Sequence, residues 1–223
     1  MKTVFITRDL AADSIFKIRL NQTGYEVFGQ SLLTFSAVPF LDFPTTAWIF
    51  FYSKNGVKFF FENLIQRQIP FPKVAYAAMG KATAKQIAAY NVSPNFVGSG
   101  DPEKTATHFL KLALHQKVLF PQALRSRRSI QQLLANQLKS YDLVVYENKV
   151  KTELELPTAD YLVFTSPLNA VAYHQHNTIS ATQKIIAIGQ STKKALLDLK
   201  LTANIQVAQQ ASEAALAEAV LIF

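Results

Sequence analysis

The stretch Trp48–Phe60 reads WIFFYSKNGVKFF, and it carries the pattern that decides the fold. The run Trp48–Tyr52 is bulky and apolar without polar alternation, which predicts a strand that is buried on both faces. The polar tetrad Ser53–Gly56 follows, and an apolar pattern typical of a helix then resumes. A buried strand that leads through a short polar loop into a helix is the unit from which α/β domains are built.

Units of this kind recur along the whole chain, because short apolar runs alternate with amphipathic segments of helix length. We therefore predict an α/β fold of parallel β-sheets flanked by helices. The predicted strands are Val4–Thr7, Tyr25–Leu33, Trp48–Tyr52, Val74–Ala78, Val118–Phe120, Leu143–Tyr146, Tyr161–Phe164 and Lys184–Ile188. The predicted helices are Ala11–Asn21, with Ile15 and Ile18 on its apolar face, Val57–Gln66, Thr83–Tyr90, Lys104–Leu114, Ser126–Leu138, Ser191–Leu199 and Ser212–Leu221.

The chain also repeats itself. Four segments of one half match four segments of the other in the same order, at a spacing of about 110 residues. This order favours an internal duplication, so we expect two domains, each with its own sheet, and a cleft between them. The matched polar positions are Ser53 with Ser166, Gly80 with Gly189, and Thr83 with Thr192.

The composition is that of a globular protein, with 49% hydrophobic residues in a chain of 223. No cysteine is present, which excludes disulfides, thiolate metal sites and cysteine nucleophiles. Arg8 and Asp9 stand where a secretion signal would have its apolar core. No apolar run reaches the roughly 20 residues of a membrane helix. We expect a cytoplasmic protein without a membrane partner.

The net charge of +8 favours a polyanionic partner, either nucleic acid or an acidic small molecule. A basic surface without any specific partner explains the charge equally well. Nucleic-acid binders usually interleave aromatic and basic residues on one face, whereas the aromatic residues here cluster in apolar runs such as WIFF. We therefore expect no nucleic-acid partner, and a binding protein for an anionic metabolite stays as an alternative to an enzyme.

Polar loops follow four of the predicted strands, at the carboxyl ends where ligands bind in parallel sheets. Each loop presents backbone N–H groups and hydroxyls at a helix start, which suits an anion. Helix capping alone explains any one of them. Four such loops at equivalent positions favour a shared polar cleft. The loops are Ser53–Gly56, Gly80–Thr83, Ser166–Asn169 and Gly189–Thr192.

The usual catalytic motifs are absent. The segment ending in Gly80–Lys81 resembles a phosphate-binding loop, but Ala75 stands where the first glycine belongs. The histidines show no metal-site spacing, and we expect His174 and His176 at a solvated helix end. Tyr146 ends an apolar strand and could donate a proton to a leaving hydroxyl. A purely structural role is an equally good interpretation, in which the ring is in the core and the hydroxyl is in contact with water.

Seven segments, in order, resemble the uroporphyrinogen-III synthases of tetrapyrrole biosynthesis. They are IFFYSKNGVKFF, AAMGKATAKQI, VLFPQALRSRR, LVVYEN, LVFTSPLNAV, IAIGQSTKKAL and SEAALAEA. Each is weak alone, but their order and spacing are specific and span essentially the whole chain. The resemblance implies two α/β domains joined by a two-stranded linker. Domain 1 would comprise residues 1–35 and 153–223, and domain 2 residues 36–152 including the linker segments.

The resemblance also implies an activity, that of a cyclising hydro-lyase. The substrate would be hydroxymethylbilane, a linear tetrapyrrole with eight carboxylates. Loss of its terminal hydroxyl, a spirocyclic intermediate and inversion of the last ring would give uroporphyrinogen III. No metal or organic cofactor is implied, and we expect a monomer.

The resemblance assigns site residues by matching motifs. Tyr146 matches the family tyrosine proposed to assist departure of the hydroxyl, so it is the predicted catalytic residue. Asp9 stands where the family often has proline, and Gln122 where it often has arginine, which leaves open whether Arg125 compensates. The predicted substrate-binding residues are Arg8, Ser53, Lys54, Asn55, Gly56, Gly80, Lys81, Thr83, Ser166, Pro167, Asn169, Gly189, Ser191 and Thr192.

Overall fold

A computed structural model describes residues 1–200 and 204–223 of the chain. The strands are β1 (Lys2–Ile6), β2 (Tyr25–Gly29), β3 (Leu33–Ala37), β4 (Trp48–Phe51), β5 (Ala75–Ala78), β6 (Phe96–Val97), β7 (Lys117–Ala123), β8 (Lys139–Val150), β9 (Tyr161–Phe164), β10 (Lys184–Ala187) and β11 (Ile205–Val207). The helices are α1 (Ile15–Gln22), α2 (Lys54–Gln66), α3 (Lys81–Ala88), α4 (Pro102–Ala113), α5 (Ser129–Leu133), α6 (Pro167–His176), α7 (Gln190–Asp198) and α8 (Glu213–Leu221).

The chain forms two compact units. Unit 1 consists of Met1–Thr34 and Lys149–Phe223, and unit 2 of Phe35–Asn148. The chain passes between the units within β3 and again within β8, which are neighbouring strands. The sequence-based division, at residues 35/36 and 152/153, differs from this one by a few residues, and the domain boundaries stay a prediction.

Each unit has its own sheet with helices on both faces. The sheet of unit 1 has the order β11-β10-β9-β1-β2, and the other sheet has the order β3-β8-β7-β4-β5-β6. The pairs of neighbouring strands from β11 through β2 are parallel, as are those from β8 through β6. The predicted α/β class with parallel sheets is confirmed.

The apolar runs form the centres of these sheets. All residues of β4 and β9 are buried, because successive side chains enter the cores on opposite faces of the sheet. In β4, Phe50 joins the core beside α4, whereas Phe51 joins the core beneath α2. Each fully buried phenylalanine contributes about 1.5–3 kcal/mol relative to leaving it exposed. The unbroken run WIFF therefore forms a central strand rather than an edge strand.

Helix α2 shows why its sequence folds as it does. Its buried residues Val57, Phe60, Phe61 and Leu64 follow the spacing of one helical face. Ser53 caps the helix by accepting a hydrogen bond from the backbone N–H of Gly56 at 3.1 Å. The cap and the apolar face together fix where the helix begins and which side packs on the sheet.

The two sheets correspond strand by strand. The sequence repeat pairs β4 with β9, β5 with β10 and β7 with β1, and these strands occupy matching positions in the two sheet orders. In unit 1, the strand between β9 and β2 thus comes from the beginning of the chain, while its counterpart β7 comes from the middle. The internal duplication itself stays a prediction from the sequence.

Several predicted elements were wrong in extent. The single strand expected over Tyr25–Leu33 ends at Gly29 as β2, and Leu33 already begins β3, which belongs to the other sheet. The helix expected over Ser126–Leu138 is only the five residues of α5, because the chain turns after Leu133 and Asn136 takes a left-handed φ of 68° that a helix cannot contain. The short strands β6 and β11 were not predicted at all.

The predicted apolar face of α1 was also wrong. Ile15 and Ile18 are 51% and 43% exposed, whereas Phe16 and Leu20 are fully buried. Phe16 and Leu20 lie four residues apart, on one face of the helix, and they join the core that includes residues of α8. The larger aromatic side chain therefore decides which face of this short helix is buried.

Within residues 1–200 and 204–223, none of the helices combines the length and the hydropathy that a membrane span requires.

Candidate active site

Parallel strands bring the polar loops of unit 2 to one edge of its sheet. The strands β8, β7, β4 and β5 are neighbours in that order, so the loops at their carboxyl ends meet along the same edge. Neighbouring strands lie about 4.8 Å apart, which places the loops within side-chain reach of one another. We call this edge the carboxyl edge of unit 2.

A β-bulge places Tyr146 on the α2 side of the sheet. Gln122 pairs with Val144, but the next residue, Ala123, pairs with Tyr146, so Val145 is an extra residue in β8. Consecutive strand residues normally point to opposite faces. Here Val145 and Tyr146 both join the core beneath α2, because the bulge breaks the alternation. The bulge thus places the tyrosine ring on the α2 side of the sheet.

The Tyr146 side chain is held at both ends. Its hydroxyl lies 3.2 Å from the Oγ of Ser53. Its ring stacks on Phe59 of α2, with centroids 5.4 Å apart and an interplanar angle of 19°. Phe35 packs against the same ring at 6.2 Å. Tyr146 is only 7% exposed, so its ring is anchored in the core.

Burial raises the pKa of the Tyr146 phenol above its ordinary value of 10.0, and the hydrogen bond with Ser53 partly offsets that increase. The phenol is therefore protonated throughout the neutral range. A protonated hydroxyl at the carboxyl edge is able to act as a general acid.

The tetrad that follows β4 divides into different roles. Ser53 caps α2, Lys54 is exposed and Asn55 is half-buried. A Cβ on Gly56 would lie 2.9 Å from the carbonyl oxygen of Pro121, so glycine is required where α2 approaches β7. The N–H of Gly56 is already hydrogen-bonded to Ser53. Two residues of the tetrad therefore serve the start and the packing of α2.

The next loop of unit 2 has a different cap. Gly80 precedes α3 and has no side chain with which to cap it, and its φ of −166° is ordinary extended backbone. Lys81 is exposed at the first helical position, whereas Thr83 is 6% exposed. The start of α3 therefore has no side-chain cap, which suits the binding of an external anion, and the backbone of Gly100 lies 3.4 Å from where a Cβ of Gly80 would stand.

In unit 1, Ser166 and Asn169 are joined by two hydrogen bonds. The Oγ of Ser166 accepts from the backbone N–H of Asn169 at 3.1 Å and from its side-chain amide at 3.0 Å. The Oδ1 of Asn169 in turn accepts from the N–H of Leu32 at 3.3 Å. Pro167 occupies the first turn of α6. Asn169 is buried and engaged with the protein itself.

The loop at Gly189 repeats the arrangement seen at Gly80. Gly189 caps α7 without a side chain, and a Cβ built there would meet no atom within 4 Å. Ser191 is exposed, whereas Thr192 is 1% exposed, and its Oγ1 has no hydrogen-bond partner among the described residues. An open helix start and an unpaired buried hydroxyl thus lie within one turn of α7.

The residues after β1 are engaged with neighbours in unit 1. Arg8 lies 3.8 Å from the carboxylate of Glu213, and both side chains are about one-third exposed. Ser14 donates to the same carboxylate at 2.8 Å. Asp9 accepts from the backbone N–H of Ser31 at 2.9 Å, so the acid that replaces the family's proline stabilises the chain after β2.

Sequence reasoning missed two buried polar features. Thr165 donates to the carbonyl oxygen of Thr7 at 2.8 Å, and the N–H of Thr165 donates to the Oγ1 of Thr7 at 3.0 Å. The available signal in the sequence was that two predicted strands, VFIT ending at Thr7 and LVFT ending at Thr165, both finish with a threonine. Gln122 is 3% exposed, and its Oε1 has no partner within the described part of the chain. The sequence around Gln122 did not indicate that its side-chain oxygen would be buried without a hydrogen-bond partner.

No group of histidine and acidic side chains suited to a metal ion occurs in residues 1–200 and 204–223. His174 and His176 are exposed at the end of α6, which confirms the expected helix end.

Comparison with known proteins identifies the family. The sequence model of a family described as uroporphyrinogen-III synthase HemD matches residues 16–219. The chain belongs to the uroporphyrinogen-III synthase family. Members of this family are lyases of haem biosynthesis, and the resemblance read from the seven segments is confirmed.

Solved structures of uroporphyrinogen-III synthases share the fold. The enzyme of Helicobacter pylori 26695 superposes with a TM-score of 0.73 at 21% identity, over 100% of this chain and 99% of that one. A mutant enzyme of the extremely thermophilic bacterium Thermus thermophilus gives a TM-score of 0.60 at 14% identity, over 100% and 97% of the two chains. At these identities the likeness shows the fold alone.

Proposed function

We propose that this member of the uroporphyrinogen-III synthase family converts hydroxymethylbilane into uroporphyrinogen III, with Tyr146 as the general acid. The observation that carries the role of Tyr146 is its buried, protonated hydroxyl beside the capping serine of α2. The four polar loops contain no aspartate or glutamate, and Arg8 and Asp9 are engaged within unit 1.

In the first step, the bond between the terminal carbon and its hydroxyl oxygen breaks. The electron pair leaves with the oxygen, which takes the Tyr146 proton and departs as water. The pyrrole nitrogen supplies electrons to the carbon, giving an azafulvene-type cation opposite a tyrosinate. General acid catalysis of this kind contributes about 10²–10⁴-fold to a rate.

In the later steps, the electrophilic carbon attacks the substituted position of the last ring, and a spirocyclic intermediate forms. Its fragmentation and reclosure invert that ring and close the macrocycle. The final loss of a proton restores aromaticity, and this proton returns to the tyrosinate. The sequence of steps is therefore balanced, with water as the only by-product.

Direct closure without inversion needs no enzyme, so the protein must mainly hold a flexible chain in one geometry. We propose that the starts of α3 and α7 bind substrate carboxylates, because Gly80 and Gly189 leave both helix starts without a side-chain cap. The net charge of +8 favours an acidic substrate in the same way.

The other predicted binding residues differ in how accessible they are to a substrate. Lys54, Lys81 and Ser191 are exposed and available to carboxylates. Thr83 and Thr192 lie in the first turns of α3 and α7, and the unpaired hydroxyl of Thr192 is the better candidate for a substrate contact. Action in the cytoplasm, a monomeric state and the absence of nucleic-acid and membrane partners are inferred from the resemblance and the sequence.

A product assay tests the proposal. The purified protein receives hydroxymethylbilane, and the type I and type III products are separated after oxidation to porphyrins. We expect the type III isomer to dominate, whereas the reaction without protein gives type I. Binding of a tetrapyrrole with a type I product would instead support the non-catalytic binding protein, an alternative that the family does not favour.

A further inference from the structure

We propose that Ser53 is a positioning residue for Tyr146, and that its hydroxyl donates a hydrogen bond to the phenolic oxygen as Tyr146 gives up its proton. This inference rests on the proposed role of Tyr146 as the general acid. It changes the role expected for Ser53 from the sequence, which was direct binding of substrate.

The geometry of the cap makes Ser53 a suitable donor. A serine hydroxyl has one proton and two lone pairs. The N–H of Gly56 points at its Oγ from 3.1 Å and occupies one lone pair, which also holds the side chain in one rotamer. The proton of Ser53 is not used by this contact. The phenolic oxygen of Tyr146, 3.2 Å away, is positioned to receive it.

The position of the pair favours negative charge on the phenolic oxygen. Ser53 stands at the N-terminus of α2, a helix of 13 residues with no acidic side chain in its first turn. The N-terminal end of a helix carries a partial positive charge that stabilises anions. A tyrosinate formed beside Ser53 would therefore be stabilised both by the serine proton and by α2.

Helix α2 holds the tyrosine at two points. Its cap contacts the hydroxyl, and Phe59 of the same helix stacks on the ring at 5.4 Å. The bulge at Val145 turns the ring toward this helix. The direction of the phenol is thus set by its contacts with helix α2 together with the bulge in β8.

The matching serine of unit 1 lacks this arrangement. Ser166 accepts two hydrogen bonds from Asn169, one from the backbone and one from the side-chain amide. These two donors occupy both lone pairs of its oxygen. The two serines look equivalent in the sequence, yet only Ser53 contacts a tyrosine hydroxyl, so the positioning role belongs to one half of the molecule.

A double-mutant cycle tests the inference with Ser53→Ala, Tyr146→Phe and the combined variant. Loss of the one hydrogen bond is expected to lower kcat about fivefold, with KM changed by less than about twofold. The Ser53→Thr variant retains a hydroxyl at the cap and is expected to restore most of the kcat. In the Tyr146→Phe background, adding Ser53→Ala is expected to change kcat by less than about twofold, because the acceptor is already gone.

Ser212→Ala is the matched control, since the Oγ of Ser212 accepts from the N–H of Ala215 at 3.2 Å and caps α8. It is expected to lower the Tm about as much as Ser53→Ala, with unchanged kcat. Equal losses of kcat from Ser53→Ala in both backgrounds, or a rise in KM alone, would overturn the inference and leave the role of Tyr146 intact. Unchanged kcat in Tyr146→Phe would instead refute the general acid and the inference with it.

Discussion

The phenolic oxygen of Tyr146 lies 3.2 Å from the Oγ of Ser53, across a separation of 93 positions in the sequence. Tyr146 is on β8 and Ser53 follows β4, and β7 lies between these two strands. The bulge in β8 and the cap of α2 therefore act together to place the phenolic hydroxyl of Tyr146 beside the start of α2.

Replacement of Tyr146 by phenylalanine should lower kcat about 100-fold, which is the lower end of what a general acid supplies. The ring contacts with Phe59 and Phe35 persist in this variant, so the Tm should change by only a few degrees. Steady-state rates and the isomer ratio of the product measure the effect. Tyr141→Phe, on the same strand, is the control and should retain normal turnover.

The pH dependence of kcat should show an alkaline limb at or above pH 10. Burial raises the pKa of the Tyr146 phenol above 10.0, and a general acid works only while it is protonated. Ser53 lowers that pKa, so the limb should move to higher pH in Ser53→Ala. Rates measured with a parallel check of folding test this, and a limb well below pH 10 would argue for a different acid.

Replacement of Gly56 by alanine should destabilise the fold by about 1–3 kcal/mol, as is typical of overpacking. The new Cβ would stand 2.9 Å from the carbonyl oxygen of Pro121, a backbone atom of β7 that cannot turn away. Urea unfolding followed by circular dichroism measures the loss. Gly189→Ala is the comparison, because its Cβ meets open space and should cost only the preference of an N-cap for glycine over alanine, about 0.5–1 kcal/mol.

Replacement of Gly189 by serine should weaken substrate binding without lowering the stability of the fold. Serine is a good N-cap, so the Tm should stay the same or rise slightly. The side chain would enter the open space before α7, where we propose that a carboxylate binds, so KM should rise severalfold. Ser212→Gly changes a cap at another helix and serves as the control. An unchanged KM in Gly189→Ser would remove this helix start from the substrate site.

Added salt should weaken substrate binding. Carboxylates held by exposed lysines and helix starts are screened at high ionic strength, and the Debye length falls from about 10 Å at 0.1 M to about 3 Å at 1 M. KM measured across this range should therefore rise steadily, while kcat changes little. A KM that does not depend on salt would contradict an electrostatic hold on the substrate.

Local patterns in the sequence were sufficient for much of the fold and for the family. The runs Trp48–Phe51 and Tyr161–Phe164 are unbroken and apolar, and both are central strands because only a doubly covered strand buries every residue. Ser53 and Ser166 are good capping residues, and each begins a helix. These signals lie within a few residues of one another, which is why they were readable without the structure.

Tertiary structure alone decided how these parts are used. Tyr25–Leu33 reads as one strand but divides between two sheets, since the place where a chain changes sheet has no local signature. The extra residue Val145 becomes visible only when β8 is paired with β7. Ser53 and Ser166 share a motif, yet one contacts Tyr146 and the other accepts two hydrogen bonds from Asn169. Strand order and register set such long-range contacts, and no periodicity within a single segment encodes them.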